Sequence, residues 1–184
     1  MKSISQMSMA ELAAYVCSHL EDRNIRVVLS GGACVAIYAS GRYVSMDLDF
    51  IDRLQTTRQR LKAVLSEIGF TEKNRYFVHA DTDFFIEFPS GPLAVGNEPV
   101  AKIEEMHLDT GTLRLLSPTD CVKDRLAAFY HWNDRQCLQQ AVWVAQEREV
   151  DWNEIERWSL QEGEKAKFDA FREEFEEERT QKPK

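Results

Sequence analysis

The segment between Arg26 and Ile51 restricts the fold of this chain more than any other. A short apolar run, Arg26-Val27-Val28-Leu29, stops at Ser30-Gly31-Gly32, and a second apolar stretch follows over residues 33–39. Apolar runs of this kind broken by glycines read as strand, glycine turn and buried helix. After Gly41-Arg42-Tyr43 comes Met46-Asp47-Leu48-Asp49-Phe50-Ile51, where acidic and apolar residues alternate with the period of a strand. One face of that strand would carry Asp47 and Asp49, and the other Met46, Leu48 and Phe50.

Around this unit the pattern predicts a mixed α+β chain. Ser8 followed by Glu11 is a capping-box signature ahead of Leu12, Ala13, Tyr15, Val16 and Leu20, so a helix is expected to about Arg23. A further helix is expected over residues 56–68, ended by Gly69. Residues 75–79 and 84–88 read as paired strands, and 93–95, 101–108 and 112–116 as weaker ones, with Asp109-Thr110-Gly111 a hairpin turn. From Ser117-Pro118-Thr119-Asp120 onward the pattern is helical, with helices expected near 118–130, 134–148, 151–160 and 164–179. Phe168, Phe171 and Phe175 form a stripe suited to core packing, and residues 180–184 are expected to fray. The expected division is a sheet-containing core, 1–116, and a helical C-terminal lobe packed on it, 117–184.

Composition sets the outer bounds. The 184 residues carry 23 Lys and Arg against 31 Asp and Glu, a net charge of -8, which argues against a protein that coats nucleic acid. A 43% hydrophobic content with 10% aromatics suffices for a sizeable core. No window supplies the ~18 consecutive apolar residues of a membrane span, and the N-terminal pattern is not that of a secretory signal, so the cytoplasm is the expected location. Cys17, Cys34, Cys121 and Cys137 show no metal or redox spacing and read as reduced thiols, three of them on helices. No G-x-G-x-x-G, Gly-Lys-Ser/Thr, G-x-S-x-G or H-E-x-x-H motif occurs.

The chemistry resides in the central unit. Aspartates at i and i+2 on a strand lie about 6.5 to 7 Å apart, and their mutual repulsion calls for a compensating cation. A hard ion such as Mg²⁺ takes oxygen ligands and leaves positions for phosphate. Backbone N–H groups at Gly31, Gly32 and Ala33, at a helix start, can face a phosphate held by the same ion. The competing reading is a tight turn beside a solvated strand face.

Ser30-Gly31-Gly32-Ala33 together with Ser45-Met46-Asp47-Leu48-Asp49-Phe50 resembles the first motif of the polymerase-beta-like nucleotidyltransferase superfamily, and most of all that of the AbiEii-type toxin nucleotidyltransferases. The resemblance spans roughly residues 27–141. It implies a small mixed β-sheet flanked by helices and a third carboxylate on a neighbouring strand. Glu87, the lone acid of Phe84-Phe85-Ile86-Glu87-Phe88, fills that role, with Asp81 and Asp83 as competitors. Asp47, Asp49 and Glu87 would then be both the catalytic residues and the ligands of Mg²⁺, as one ion or two. The sequence from Ser117 to Ala127 is similar to the family helix that carries a phosphate-binding lysine, a role that passes to Lys123. A surface salt bridge is its competing reading. Where the family helix continues with an arginine and an Arg-Asp pair, this chain has Tyr130 and Asn133-Asp134, with Arg125 and Arg135 out of register.

The implied activity is transfer of a nucleotidyl group from an NTP, bound at Ser30, Gly31, Gly32 and Lys123, to an RNA or protein acceptor. The implied setting is a toxin–antitoxin or defence system with a cognate partner protein. Two rivals stand beside it: a catalytically degenerate member of the fold that serves as an interaction module, and an antibiotic-modifying small-molecule nucleotidyltransferase.

Overall fold

The computed structural model describes residues 2–181. Helix α1 (Met9–Glu21) begins at Ser8, whose hydroxyl accepts from the Glu11 amide while the Glu11 carboxylate accepts from the Ser8 amide, so the expected capping box forms. Strand β1 (Val27–Ser30) runs into helix α2 (Gly31–Tyr38), and β2 (Asp47–Asp52) follows, capped by the Asp52 carboxylate on the amides of Leu54 and Thr56. Helix α3 (Arg58–Ser66) starts from a Thr57 cap, and Gly69 turns the chain at φ +84°. Strands β3 (Thr71–Lys73), β4 (Tyr76–His79) and β5 (Thr82–Glu87) form a meander; the first of these was not expected from sequence.

A small hairpin, β6 (Ala94–Val95) and β7 (Glu98–Pro99), then leads to the pair β8 (Ile103–Leu108) and β9 (Gly111–Leu116). Seven strands make one mixed sheet in the order β3-β4-β5-β2-β1-β9-β8, with β1–β9 and β2–β5 parallel and the other neighbours antiparallel. The α+β class expected from the alternating patterns is therefore the observed one.

Every regular element after Leu116 among the described residues is helical: α4 (Pro118–Trp132), α5 (Arg135–Glu147), α6 (Trp152–Gln161) and α7 (Lys165–Gln181). Ser117 caps α4 through the Asp120 amide, with Pro118 at its first turn, and Asn133 ends it in the left-handed region. Residues 182–184, part of the segment expected to fray, lie outside the described residues; Thr180 is helical.

Buried apolar residues form a continuous cluster from Leu12 through Leu29, Phe50 and Leu126 to Phe171. Phe168, Phe171 and Phe175 are buried as expected, and Trp152 stacks on Phe171 at 5.5 Å between centroids. Two expectations need correction. All four cysteines, not three, sit on helices, each buried and free. Met46 does not share the buried face of Leu48 and Phe50: β2 begins one residue later, and Met46 is 41% exposed in the preceding loop. Among the described residues no helix is long and apolar enough to cross a membrane.

Candidate active site

Strand register collects the acidic residues. Ser30 on β1 pairs with Asp49 on β2, and Asp49 pairs with Glu87 on β5, so the three lie in one row across adjacent strands. Paired residues on neighbouring strands project to the same side of the sheet, as do residues two apart on one strand, so Asp47 joins them. Leu48, Phe50 and Ile86, the intervening residues, are buried on the opposite side. Asp83, the competing acid on β5, falls before the first β2–β5 rung, Asp47 with Phe85, and is exposed; Asp81 precedes β5 altogether and is exposed too.

The glycine turn forms the floor. Gly31 sits at φ +66°, and a Cβ built there would lie 2.5 Å from Asp49 Oδ2, so any side chain would displace the carboxylate as well as strain the backbone. A Cβ at Gly32 would come within 3.3 Å of Ser45 Oγ and of the Tyr43 ring, close to the loop that enters β2. The Ser30 hydroxyl donates to the Asp49 carbonyl at 3.2 Å, and no side chain caps the first turn of α2. The first-turn N–H groups of a helix have no intrahelical acceptors. Those free N–H groups at the positive end of the helix dipole can face an anion such as a phosphate oxygen.

Ser45, missed as a site residue, is 3% exposed and donates to Asp47 Oδ1 through a short contact, which orients that carboxylate. Glu87 accepts an ion pair from Arg75 at 3.3 Å; Arg75 is 70% exposed on its side chain and lies over the Tyr76 ring at 4.8 Å. The only signal for Arg75 was its place beside Tyr76, the β4 partner of Glu87. Among the described residues no Lys or Arg lies within ion-pair distance of Asp47 or Asp49. Burial, reinforced by the charges of Asp47 and Glu87, pushes the Asp49 carboxyl up to about 7. The opposing influence comes from Arg125 on α4, a residue noted in the sequence only as out of register.

Lys123 is engaged elsewhere. Its side chain, 5% exposed, meets Glu154 at 3.0 Å, Asp120 at 3.4 Å and Glu98 at 3.9 Å, in a cavity of about 490 Å³ between the β6–β7 hairpin, α4 and α6. Two residues along a helix is a rotation of about 200°, so Lys123 and Arg125 face different ways. Tyr130, where the family pattern has an arginine, is buried, stacks on Trp158 at 5.5 Å and shares a 2.8 Å hydrogen bond with Ser159.

The donor set on the β2–β5 face is oxygen only, which suits a hard divalent cation; burial, with the added charges of Asp47 and Glu87, holds a proton on Asp49 to about pH 7, and such an ion would offset the charge crowding. The side chains are not drawn together around one point: among the described residues no three His, Cys, Asp or Glu groups converge as a metal cluster. The exposed Arg75 and the Ser45 hydroxyl hold Glu87 and Asp47 instead.

No protein-family model matches this chain, and no curated protein matches its sequence. Among solved structures it is similar to the solution structure of the antibiotic-resistance factor ANT(2'')-Ia, at 13% identity and a TM-score of 0.49, covering 95% of this chain and 97% of that one. A crystal structure of ANT(2'')-Ia in complex with adenylyl-2''-tobramycin matches at 15% identity and a TM-score of 0.46, covering 91% of this chain and 98% of that one.

Proposed function

We propose that this chain is a nucleotidyltransferase that binds a nucleoside triphosphate with Mg²⁺ over the Gly31 floor and transfers its nucleotidyl group to an acceptor. The observation that carries this reading is the row of Ser30, Asp49 and Glu87 beside Asp47, with Gly31 left without a side chain where Asp49 Oδ2 would collide with one. Asp47, Asp49 and Glu87 would hold the ion, which supplies charge neutralisation for the phosphates and the leaving pyrophosphate. The uncapped amides of Gly31, Gly32 and Ala33 present donors to a phosphate oxygen. Ser45 keeps Asp47 turned toward the face.

In the reaction the acceptor oxygen attacks the α-phosphorus in line, the bond to pyrophosphate breaks, and the acceptor proton passes to a carboxylate of this face. The motif resemblance supplies the acceptor class, RNA or protein, and the toxin–antitoxin or defence setting. Lys123, with three carboxylate partners, does not enter this reading.

The test is thermal stabilisation by a nucleoside triphosphate with Mg²⁺. At 100 times its dissociation constant a ligand stabilises by roughly 2.7 kcal/mol; the wild type should show that response and the Asp47→Asn, Asp49→Asn double variant should lose it. An equal melting shift in both proteins would eliminate the proposal. The rival reading, an interaction module that has lost catalysis, rests on Tyr130 being built into the core. Transfer of radiolabel from an α-labelled triphosphate would refute it.

A further inference from the structure

The face of the sheet that carries Asp47, Asp49 and Glu87 continues past β5. Phe85, two residues before Glu87, pairs with Asp47, and on the next strand Tyr76 pairs with Glu87 and Val78 with Phe85. All three side chains therefore project to the side of the carboxylates. The alternate residues point the other way: Phe77 and Ile86 are fully buried, and the Arg58 guanidinium, on α3, lies over the Phe77 ring at 4.4 Å. Tyr76, Val78 and Phe85 are half-buried and stand outside the continuous core cluster, whereas Phe84 and Phe88 pack against it.

On this outer face the rings of Tyr76 and Phe85 meet edge to face, 4.8 Å between centroids. The β3–β4 hairpin adds positive charge beside them. Lys73 pairs with Tyr76 across the turn Asn74-Arg75, so it shares the same face; it is exposed and has no ion-pair partner among the described residues. Arg75, at the tip, lies over the Tyr76 ring at 4.8 Å and meets Glu87 at 3.3 Å. An exposed pair of this kind holds its arginine weakly, so Arg75 is able to yield the ring to a ligand and turn to an anion.

In-line transfer needs the acceptor and the departing pyrophosphate on opposite sides of the α-phosphorus. The glycine floor follows β1, which flanks β2 on one side, while β5 and β4 flank it on the other. A triphosphate over that floor therefore leaves the β5–β4 side to the acceptor. We propose that this shelf is the acceptor site and that its occupant is a single-stranded RNA end, with a base stacked on Tyr76 beside Phe85 and phosphates met by Arg75 and Lys73, a reading that rests on the nucleotidyltransferase function above. Aromatic planes flanked by cations are the usual platform for single strands, and base–aromatic stacking is sequence-tolerant. Tyr76 stands two strands from Asp49, about 10 Å across the sheet. The RNA hydroxyl oxygen bonds to the α-phosphorus as the bond to pyrophosphate breaks, and its proton passes to a carboxylate of the acidic row. A net charge of -8 limits the contact to a strand end at this tip. A protein acceptor has no phosphates to engage Lys73 and Arg75.

The experiment compares wild type, Tyr76→Leu, Tyr76→Phe and Lys73→Gln by fluorescence anisotropy of a short fluorescein-labelled single-stranded RNA of mixed sequence. The melting shift with a nucleoside triphosphate and Mg²⁺, measured on each protein, reports the triphosphate site and the integrity of the fold. The expected result is RNA affinity roughly tenfold weaker in Tyr76→Leu and close to wild type in Tyr76→Phe, which keeps the ring. In Lys73→Gln the slope of log affinity against log salt should be shallower by about 0.7, the value of one phosphate contact on a single strand. Unchanged RNA affinity in Tyr76→Leu, or an equal loss in Tyr76→Phe, overturns the shelf and leaves the proposed function standing. Wild type that binds no RNA overturns it too and points to a protein acceptor. Absence of the Mg²⁺-dependent nucleotide shift in wild type defeats the underlying function, and the acceptor role with it.

Discussion

Asp49 is the residue on which most of the chemistry converges, and its ionisation has a definite thermodynamic sign. The carboxyl titrates near 7 in the folded chain because it is buried and faces Asp47 and Glu87, against 3.8 for the ordinary group. Between those values the folded state retains a proton that the unfolded state has lost, so stability falls as pH rises from about 4 to about 7 and stays low above it. Removing the charge removes the penalty. Asp49→Asn should be more stable than wild type at pH 8 by roughly 2 kcal/mol, a figure reduced for partial solvent access, and indistinguishable from it at pH 4. Urea midpoints across that range check this, and a constant difference between the proteins would show that Asp49 ionises normally.

Gly31 is the complementary position. Gly31→Ala should cost about 1–2 kcal/mol from the left-handed backbone and should also abolish Mg²⁺-dependent nucleotide stabilisation, since the new methyl would occupy the space of Asp49 Oδ2. Ala tolerated there with nucleotide response intact would remove the glycine floor from the site. Both positions were legible from the alternating Asp-x-Asp run and the Gly-Gly turn. The orientation of Lys123 was not: a helical residue turns about 100° from its neighbour, and which direction meets the sheet depends on how α4 packs against α2 and α6.

Among the elements, α4 does the most positioning. Its N-terminus is capped by Ser117 and closed by Pro118, its middle carries Arg125, paired with Asp124, and its end presents Trp132. Ser117→Ala should destabilise the fold by about 1 kcal/mol through the lost cap, measured by thermal melting; no change would mean that another group satisfies the Asp120 amide. The cap and proline were evident in the sequence, as were α1, α3 and the β4–β5 and β8–β9 pairs, because each has local signals of capping, glycine stops or alternation. Strand β3 escaped notice because Thr71-Glu72-Lys73 has no apolar alternation and is held by pairing with β4 alone. Met46 was misplaced for a similar reason: alternation marks a strand's faces but not its first paired residue.

For the molecule as a whole, the core runs without a break from the sheet into the helical segment after Leu116. Unfolding should therefore be one cooperative event, with tryptophan fluorescence and far-UV circular dichroism giving coincident urea transitions. Phe171→Ala, which opens a cavity beside Trp152 and Phe168, should lower stability by about 3–5 kcal/mol and shift both probes together. Separate transitions would instead show two independently folding units divided near residue 116.

The amino-acid order alone specified the α+β class, the glycine turn and the pairing of two aspartates on one strand face, since these rest on short-range periodicity and backbone preference. Packing settled the remainder: Glu87 beside Asp49, Lys123 drawn to Glu154, Asp120 and Glu98, and Trp132 left open at the end of α4. Those relations depend on strand register and helix rotation, which arise when residues far apart in the chain bury a common core.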